Sequence, residues 1–487
     1  MFGDYVFEKS AGKYKKKILL FDVDYLEVKT GYSRVFQTHG FAIVHYTDDL
    51  TFRVNQSELL DNSEQKMLIL ANPDSYIPYD VQKKCYVCRL SYKFLFPNLN
   101  DVVLREQPDL NLDLLTIAYE HDFENHMERK DTETFLRLKM YATGMVEYYL
   151  CQKYQEILSL ISPDSSYRTW FRVAELKADI DLMAAKAGIS FDTSEINRSF
   201  CTYAMTNFGK LSSEIAPDTP VLVSKVMDFI YERSDKFVLI VMDGMSEFDW
   251  GIQKQSFTDI PYEQNAVFAM IPSTTSVSRQ CLLSGKYPSQ LMEPWKQSKE
   301  KAEFTKCARK QGFKDSQIGY ARGYDAEFGS FVKCGAVIVL DIDNLVHAQY
   351  QGRIGMLNDD TILMKQKKLI GTVKRFLQQG YDVYISADHG NTPSVGLGRL
   401  MGAGLEVETK SHKMVVLRDF ADKNRLIEKY DLLDYPKYYL PKEYDYLICN
   451  VGESLDIKGE EVMTHGGISL DEVVVPFISI RAEDYNG

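Results

Sequence analysis

No apolar run in the chain approaches the roughly 20 residues that a bilayer span requires, and Met1 to Lys17 lacks the apolar core of a secretory signal. A cytoplasmic protein with no membrane partner is the expectation. Positive charge is also scarce: 57 Lys and Arg stand against 69 Asp and Glu, a formal net charge of -12 at pH 7. Broad adhesion to nucleic acid needs Lys and Arg to neutralise many phosphates, so that class is disfavoured. A single phosphate ester is not, because bound metal ions attract it locally whatever the overall sign. The chain has no internal repeat and no low-complexity linker. Its eight cysteines are scattered over the length, which fits reduced, buried thiols better than a disulfide framework. Cys85 and Cys88 form a lone C-x-x-C without the second pair of a zinc ribbon, so neither zinc nor redox use is expected there.

What is present divides the 487 residues into three stretches, more than one ordinary domain holds. Residues 1–105 alternate apolar runs at Ile18 to Phe21, Phe41 to His45 and Met67 to Ala71 with helical segments, which predicts a small α/β domain. Asp22 and Asp24 follow the first run and are candidates for an acidic pocket. Residues 106–233 read as a helical region. Phe135, Leu138, Ala142, Met145 and Tyr149 step by three and four, as do Val173, Leu176, Ile180, Met183 and Ala187, with Gly188 as a stop. Both stripes read as packing faces. His121 and His126 are five apart, not the four that sets two ligands on one helical face, so a metal is not expected there.

Residues 234–487 carry strand-like runs whose ends bear the chemistry. Phe237 to Met242 is unbroken and apolar, as a strand buried on both faces is, and Asp243 stands at its end. The hydroxyl-rich segment Ile271 to Arg279 opens a helix running through Leu282 and Leu283 to Gly285. Ala336 to Leu340 leads into Asp341, Asp343 and His347, read as a strand-end loop; Tyr381 to Ser386 delivers Asp388 and His389. Met414 to Leu417 is strand-like, just after His412, and the last run, Val473 to Ile480, follows His465. In open α/β sheets ligands bind outside the carboxyl ends of the strands, so these distant groups are expected to converge. Imidazole with carboxylate suits zinc and is acceptable to manganese or iron. Hydroxyls opening a helix place a nucleophile beside such a cation, and the helix amides welcome an anion.

These residues resemble the alkaline phosphatase superfamily and, within it, the PglZ domain. The resemblance rests on Val-Met-Asp243-Gly-Met, on Pro-Ser-Thr-Thr275-Ser-Val-Ser-Arg279 followed by Ser-Gly285-x-x-Pro288, and on Asp343 with His347. It rests equally on Ser-Ala-Asp388-His389-Gly and on His465-Gly-Gly-Ile-Ser before a closing Val-Val-Val-Pro strand. Roughly residues 235–481 are covered. The resemblance implies an alkaline-phosphatase-like sheet with flanking helices and two divalent metal ions, zinc first and manganese as the alternative. Asp243, Thr275, Asp388 and His389 would hold one ion; Asp343, His347 and His465 would hold the other. Thr275 is then the nucleophile among the neighbouring Ser273, Thr274, Ser276 and Ser278, and Asp343 is preferred to Asp341. Ser278, one helical turn on, and Arg279, four residues on, are placed to bind the phosphate; Arg322 and His412 are weaker candidates.

The implied activity is metal-dependent phosphoester hydrolysis by two in-line displacements through a phosphothreonine, with retention at phosphorus. A phosphodiesterase acting on a nucleotide or oligonucleotide comes first, because PglZ domains are associated with nucleic-acid-related defence and signalling systems. The alternatives are a phosphomonoesterase, a phosphomutase, or a non-enzymatic metal-bearing component of a defence or signalling complex. Sulfate esters are set aside, since formylglycine formation needs a C-x-P-x-R-like segment that neither Cys281-Leu-Leu-Ser-Gly nor Thr275-Ser-Val-Ser-Arg provides.

Overall fold

A computed structural model describes residues 1–107, 110–122, 124–400, 412–418 and 423–486. The chain divides into two compact units, Met1–Cys151 and Gln152–Gly487, with the division falling inside the stretch read as helical.

The first unit contains four strands, β1 (Lys17–Asp22), β2 (Phe41–His45), β3 (Lys66–Ala71) and β4 (Tyr86–Leu90), all parallel in the order β2-β3-β1-β4. Three of them are the expected runs; β4 was not anticipated because Tyr86, Val87 and Arg89 face outwards and only Cys88 and Leu90 are buried. Asp22 and Asp24 form no open acidic pocket. Asp22 accepts from Leu26 N at 2.9 Å and Glu27 N at 2.7 Å, while Asp24 accepts from Tyr92 N and Arg105 Nε, each at 2.7 Å. The Phe135-to-Tyr149 stripe is broken into helix Arg129–Phe135, a π-helical turn Leu136–Met140 and helix Thr143–Leu160. Leu138 consequently lies exposed, and Val146 and Leu150 are buried in its place.

In the second unit, helix Tyr167–Ala187 buries Val173, Leu176 and Ile180 and ends at Gly188 with φ 66°. The main sheet comprises β5 (Phe237–Met242), β6 (Glu263–Phe268), β7 (Ile318–Arg322), β8 (Cys334–Val339), β9 (Asp382–Ser386) and the late strand Val474–Ile480. Three short strands follow β9 on the way to it, β10 (Thr392–Gly396), β11 (Met414–Leu417) and β12 (Leu433–Asp434). Then come β13 (Asp445–Ile448), β14 (Glu453–Ser454) and β15 (Glu461–Thr464), which makes Val474–Ile480 β16. The main sheet has the order β6-β16-β9-β5-β8-β7; β7, β8, β5 and β9 are parallel, and β16 runs against both neighbours. Every residue of β5 and β8 is buried, which is why both read as continuous apolar runs.

Register then decides what meets at the sheet edge. Met242 pairs with Val339, and Val241 with Ser386, so β5, β8 and β9 end level and release Asp243, Asp341 and Asp388 on one side. β16 runs the other way, so the segment before it, carrying His465, arrives at the same edge. β10 and β15 pair antiparallel with Thr392 opposite Thr464, which sets the residues just before β10 beside those just after β15. That ladder brings His389 to His465.

Candidate active site

The segment Asp341–Ala348 is an α-helix and not the expected loop. Strand pairing ends at Val339 and Leu340 is already the N-cap, so the four-residue step from Asp343 to His347 does place both on one helical face. Gly244, with φ 76°, allows the turn after β5 to pass this helix: a Cβ there would lie 3.4 Å from Asp343 Cα.

Two groups of ligand-type side chains gather at the sheet edge, Asp243 with Asp388 and His389, and Asp343 with His389 and His465; within each, the ligand atoms lie within 4.8 Å of one another. His389 Nε2 is 3.5 Å from Asp243 Oδ1 and 2.9 Å from Thr275 Oγ1. Asp343 Oδ1 lies 3.5 Å from His465 Nε2 and 3.4 Å from His347 Nε2. All seven residues expected as ligands therefore lie around one site. His347 is its outermost member, about half exposed, whereas Asp243, Asp388, His389 and His465 are buried.

Backbone carbonyls fix the rings. His389 Nδ1 lies 3.0 Å from Gly390 O and His465 Nδ1 lies 3.1 Å from Ser273 O, so in the neutral tautomer each donates there and turns its Nε2 lone pair inwards. Among the described residues, Asp243 Oδ1, Asp343 Oδ1, Asp388 Oδ2 and His465 Nε2 are buried with no hydrogen-bond partner. Leaving four such atoms bare in one place is costly unless a cation satisfies them. The donor set, carboxylate oxygen with imidazole nitrogen, fits divalent ions of the zinc or manganese kind.

Charge is balanced by burial and proximity. Burial, reinforced by Asp388, pushes the Asp243 carboxyl well above its usual range, although Arg279 opposes this. Burial acts the same way on Asp343, but nearby His347 and the His465 and His389 charges outweigh it and hold the carboxyl low. For His389, Asp388, Asp243 and Asp343 together overcome the burial penalty and raise the imidazole. His465 is driven well down by burial and by His389.

Thr275 is the first residue of helix Thr275–Ser284, with Thr274 as its N-cap, so its hydroxyl projects at the amide-rich end. Ser278 and Arg279, expected at a substrate phosphate, have protein partners instead. Ser278 Oγ donates to Asp388 O at 2.5 Å and accepts from Met270 N at 3.1 Å, tying helix Thr275–Ser284 to the end of β9. Arg279 is fully buried; Nη1 donates to Asp243 Oδ2 at 2.5 Å and Nε to Glu300 Oε2 at 2.7 Å. Glu300, which the sequence did not flag, also receives Tyr320 OH at 2.6 Å and pairs with Arg322. Asn391 was missed too: its Nδ2 donates to Gly244 O at 2.9 Å and Asp249 Oδ2 at 2.6 Å, locking the loop after β5 to that after β9. Its position two residues after His389 was the available signal.

Outside the site, His412 pairs with Asp456. Lys139 Nζ reaches Asp122 at 2.6 Å and Glu124 at 2.7 Å, placing a cation beside the group that includes His126. Cys85 and Cys88 are free thiols, each pushed up to about 11 by burial.

An alkaline-phosphatase-like sheet, with an Asp/His cluster and a helix-opening threonine at its carboxyl edge, is the class that fold and site define. Residues 221–480, more than half of the chain, match the family described as the BREX system PglZ alkaline phosphatase-like domain. The chain belongs to the PglZ family. No curated protein matches it. Among solved structures, murine ectonucleotide pyrophosphatase / phosphodiesterase 5 is similar at 9% identity over 50% of this chain and 88% of its own, with a TM-score of 0.37. The human form is 12% identical over 51% and 89%, with a TM-score of 0.36. Phosphonoacetate hydrolase from Sinorhizobium meliloti is 13% identical over 51% and 90%, with a TM-score of 0.34. Among the described residues no helix is long and apolar enough to cross a membrane.

Proposed function

We propose that the chain is a metal-dependent phosphoester hydrolase acting on the phosphodiester of a nucleotide or oligonucleotide, with Thr275 as nucleophile. The observation that carries this is the convergence of four buried ligand atoms without hydrogen-bond partners around His389, whose Nε2 lies 2.9 Å from Thr275 Oγ1. Asp243, Asp388, His389 and Thr275 would hold one divalent ion, and Asp343, His347 and His465 the other, zinc being the first choice and manganese the second. Such ions, when bound, lower the pKa of a hydroxyl or water and neutralise phosphoryl charge.

The chain's own groups supply the rest. Thr275 Oγ1 gives up its proton to solvent and forms a bond to phosphorus as the ester P–O bond breaks, and the departing alkoxide takes a proton from solvent. The amides opening helix Thr275–Ser284 face the phosphoryl oxygens. In the second half a water oxygen bonds to phosphorus, Thr275 Oγ1 leaves and is reprotonated, and two inversions give retention. Ser278 and Arg279 position the threonine and Asp243 in this account. With Arg279 Nε and Nη1 committed to Glu300 and Asp243, only Nη2 lacks a hydrogen-bond partner, so the helix offers no bidentate guanidinium edge for a dianionic monoester, which supports the diester. A PglZ chain with this activity would serve a nucleic-acid-related defence or signalling complex.

The test compares hydrolysis of a chromogenic phosphodiester and a monoester, with zinc or manganese added, for wild type and Thr275→Ala. Metal-dependent diester turnover that is lost in the variant while bound metal is kept is the expected result. A wild type that binds metal without turnover would overturn it in favour of a scaffold.

A further inference from the structure

Beside the nucleophile helix lies a cleft of about 510 Å³ that the phosphoryl chemistry leaves unused. One wall comes from the segment after the helix, including Pro294 and Trp295; the other comes from the segment before β13, including Lys437, Tyr439, Lys442 and Tyr444. Ser289 N donates to Tyr439 O at 2.8 Å and joins the two walls. Gln280 fixes where the cleft sits. Its Nε2 donates to Ser276 O at 2.7 Å and to Pro294 O at 3.0 Å, so one side chain spans from the residue after Thr275 to the cleft wall.

The lining is aromatic, with Lys437 and Lys442 on it beside the acidic Glu443. Trp295 and Tyr444 meet edge to face with ring centroids 6.5 Å apart, and Tyr439 stacks on Tyr287 at 4.7 Å. Lys442 is exposed at the rim and Lys437 is held by Asp445 at 2.8 Å. Lys437 and Tyr439 have φ of 59° and 62°, left-handed conformations that non-glycine residues adopt only where surrounding structure imposes them. A volume in the range of small-molecule sites, with half-buried aromatic faces and the exposed Lys442, on a wall tied to the helix that Thr275 opens, matches what a nucleotide presents: a flat π-system joined to an anion.

We propose that this cleft is the subsite for the base of the substrate, which stacks on the face of Trp295 with Tyr444 set against its edge, while Lys442 meets a neighbouring phosphate. This rests on the hydrolase reading and names its substrate class as nucleotides, selected through the base. Stacking tolerates any base, so the subsite selects nucleotides over other phosphodiesters without reading sequence.

The test uses the full chain with zinc and measures Kd by calorimetry for GMP and for ribose 5-phosphate, which differ only in the base. GMP is expected to bind at least about tenfold tighter. It should also quench the fluorescence of Trp295, the half-buried member of the three tryptophans, since Trp170 and Trp250 are 1% and 0% exposed. Trp295→Ala should reduce the ratio of affinities towards one, and Trp295→Phe should retain it. Tyr444→Ala, on the opposite wall, should lower it independently. Equal affinities in the wild type, or a ratio preserved in Trp295→Ala, would overturn the proposal. Diester turnover is followed in parallel: base preference without turnover defeats the hydrolase reading and leaves the subsite standing, whereas turnover without base preference does the reverse.

Discussion

The imidazoles of His389 and His465 stack with centroids 3.9 Å apart and planes inclined by 13°. The β10–β15 ladder imposes this, and two buried rings at that separation do not both carry a positive charge; His465 is the one kept neutral. His389 belongs to both ligand groups, while His347 touches only the outer one.

Unequal losses follow for the two histidines. His389→Ala is expected to weaken zinc binding at both positions, by at least about tenfold, and His347→Ala only at one. Chelator competition combined with mass-spectrometric counting of zinc per chain separates them. Equal losses in the two variants would mean that the groups do not share His389.

Arg279 lies in a fully buried chain of charge from Asp243 to Glu300. Arg279→Met strands Asp243, leaves Glu300 only Tyr320 and Arg322, and is expected to cost about 3–5 kcal/mol in the metal-free chain. Glu300→Gln leaves Arg279 its other partner and should cost less. The double variant should fall short of the sum by at least about 1 kcal/mol, because one network is being broken twice. Urea unfolding of the four chains measures this; strict additivity would show that the pair does not act as a unit.

Much of this site was legible in the sequence because a parallel sheet writes its buried strands as plain apolar runs and puts chemistry at their ends. Asp243, Asp388 and His465 were found that way, and Phe237–Met242 and Met414–Leu417 have the bounds that the runs suggest. Helix Asp341–Ala348 reads as loop in sequence because polar residues open it, so its face follows from the resemblance and not from period. β6 and β7 were hidden for a different reason: as edge strands they bury only part of their length and lack a continuous run. Arg279 could not be placed from sequence, since a basic residue in a helix looks the same whether it meets a phosphate or the distant Glu300.

Glu247 opens helix Glu247–Gln253 and is nearly fully buried, and burial with Glu175 and Asp179 nearby pushes its carboxyl up to about 8 from the ordinary 4.5. A carboxyl raised on folding favours the folded state while protonated. Its contribution is therefore fully present below about pH 4.5 and declines as pH rises towards 8, where the native group must ionise in a poor setting. Glu247→Gln should change stability little at pH 5 and raise it at pH 8, by on the order of a few kcal/mol at most. Thermal unfolding at the two pH values decides. A variant equally stabilised or destabilised at both would remove the group from the pH dependence.

Two glycines predict opposite responses to one added methyl. At Gly371, exposed within helix Lys368–Gln378, a Cβ meets nothing within 4 Å, so Gly371→Ala should stabilise by about 0.5–1 kcal/mol through the lower entropy of the unfolded chain. At Gly390 a Cβ would fall 2.0 Å from Asp471 O and 3.0 Å from Ser246 Cβ. Gly390 N donates to Glu472 O at 2.8 Å, and Asp471 is itself held by Lys177 Nζ at 2.8 Å and Asn197 Nδ2 at 2.9 Å, so neither backbone can withdraw. Gly390→Ala should cost about 3 kcal/mol or more. Gly390 O also accepts from His389, so the same displacement turns that ring and should weaken zinc binding in whatever fraction still folds. Denaturation and zinc titration of Gly390→Ala, with Gly371→Ala as the control for the substitution itself, test both. A stable Gly390→Ala chain with wild-type zinc affinity would show that the approach of residues 390 and 471 is not what holds His389 in place.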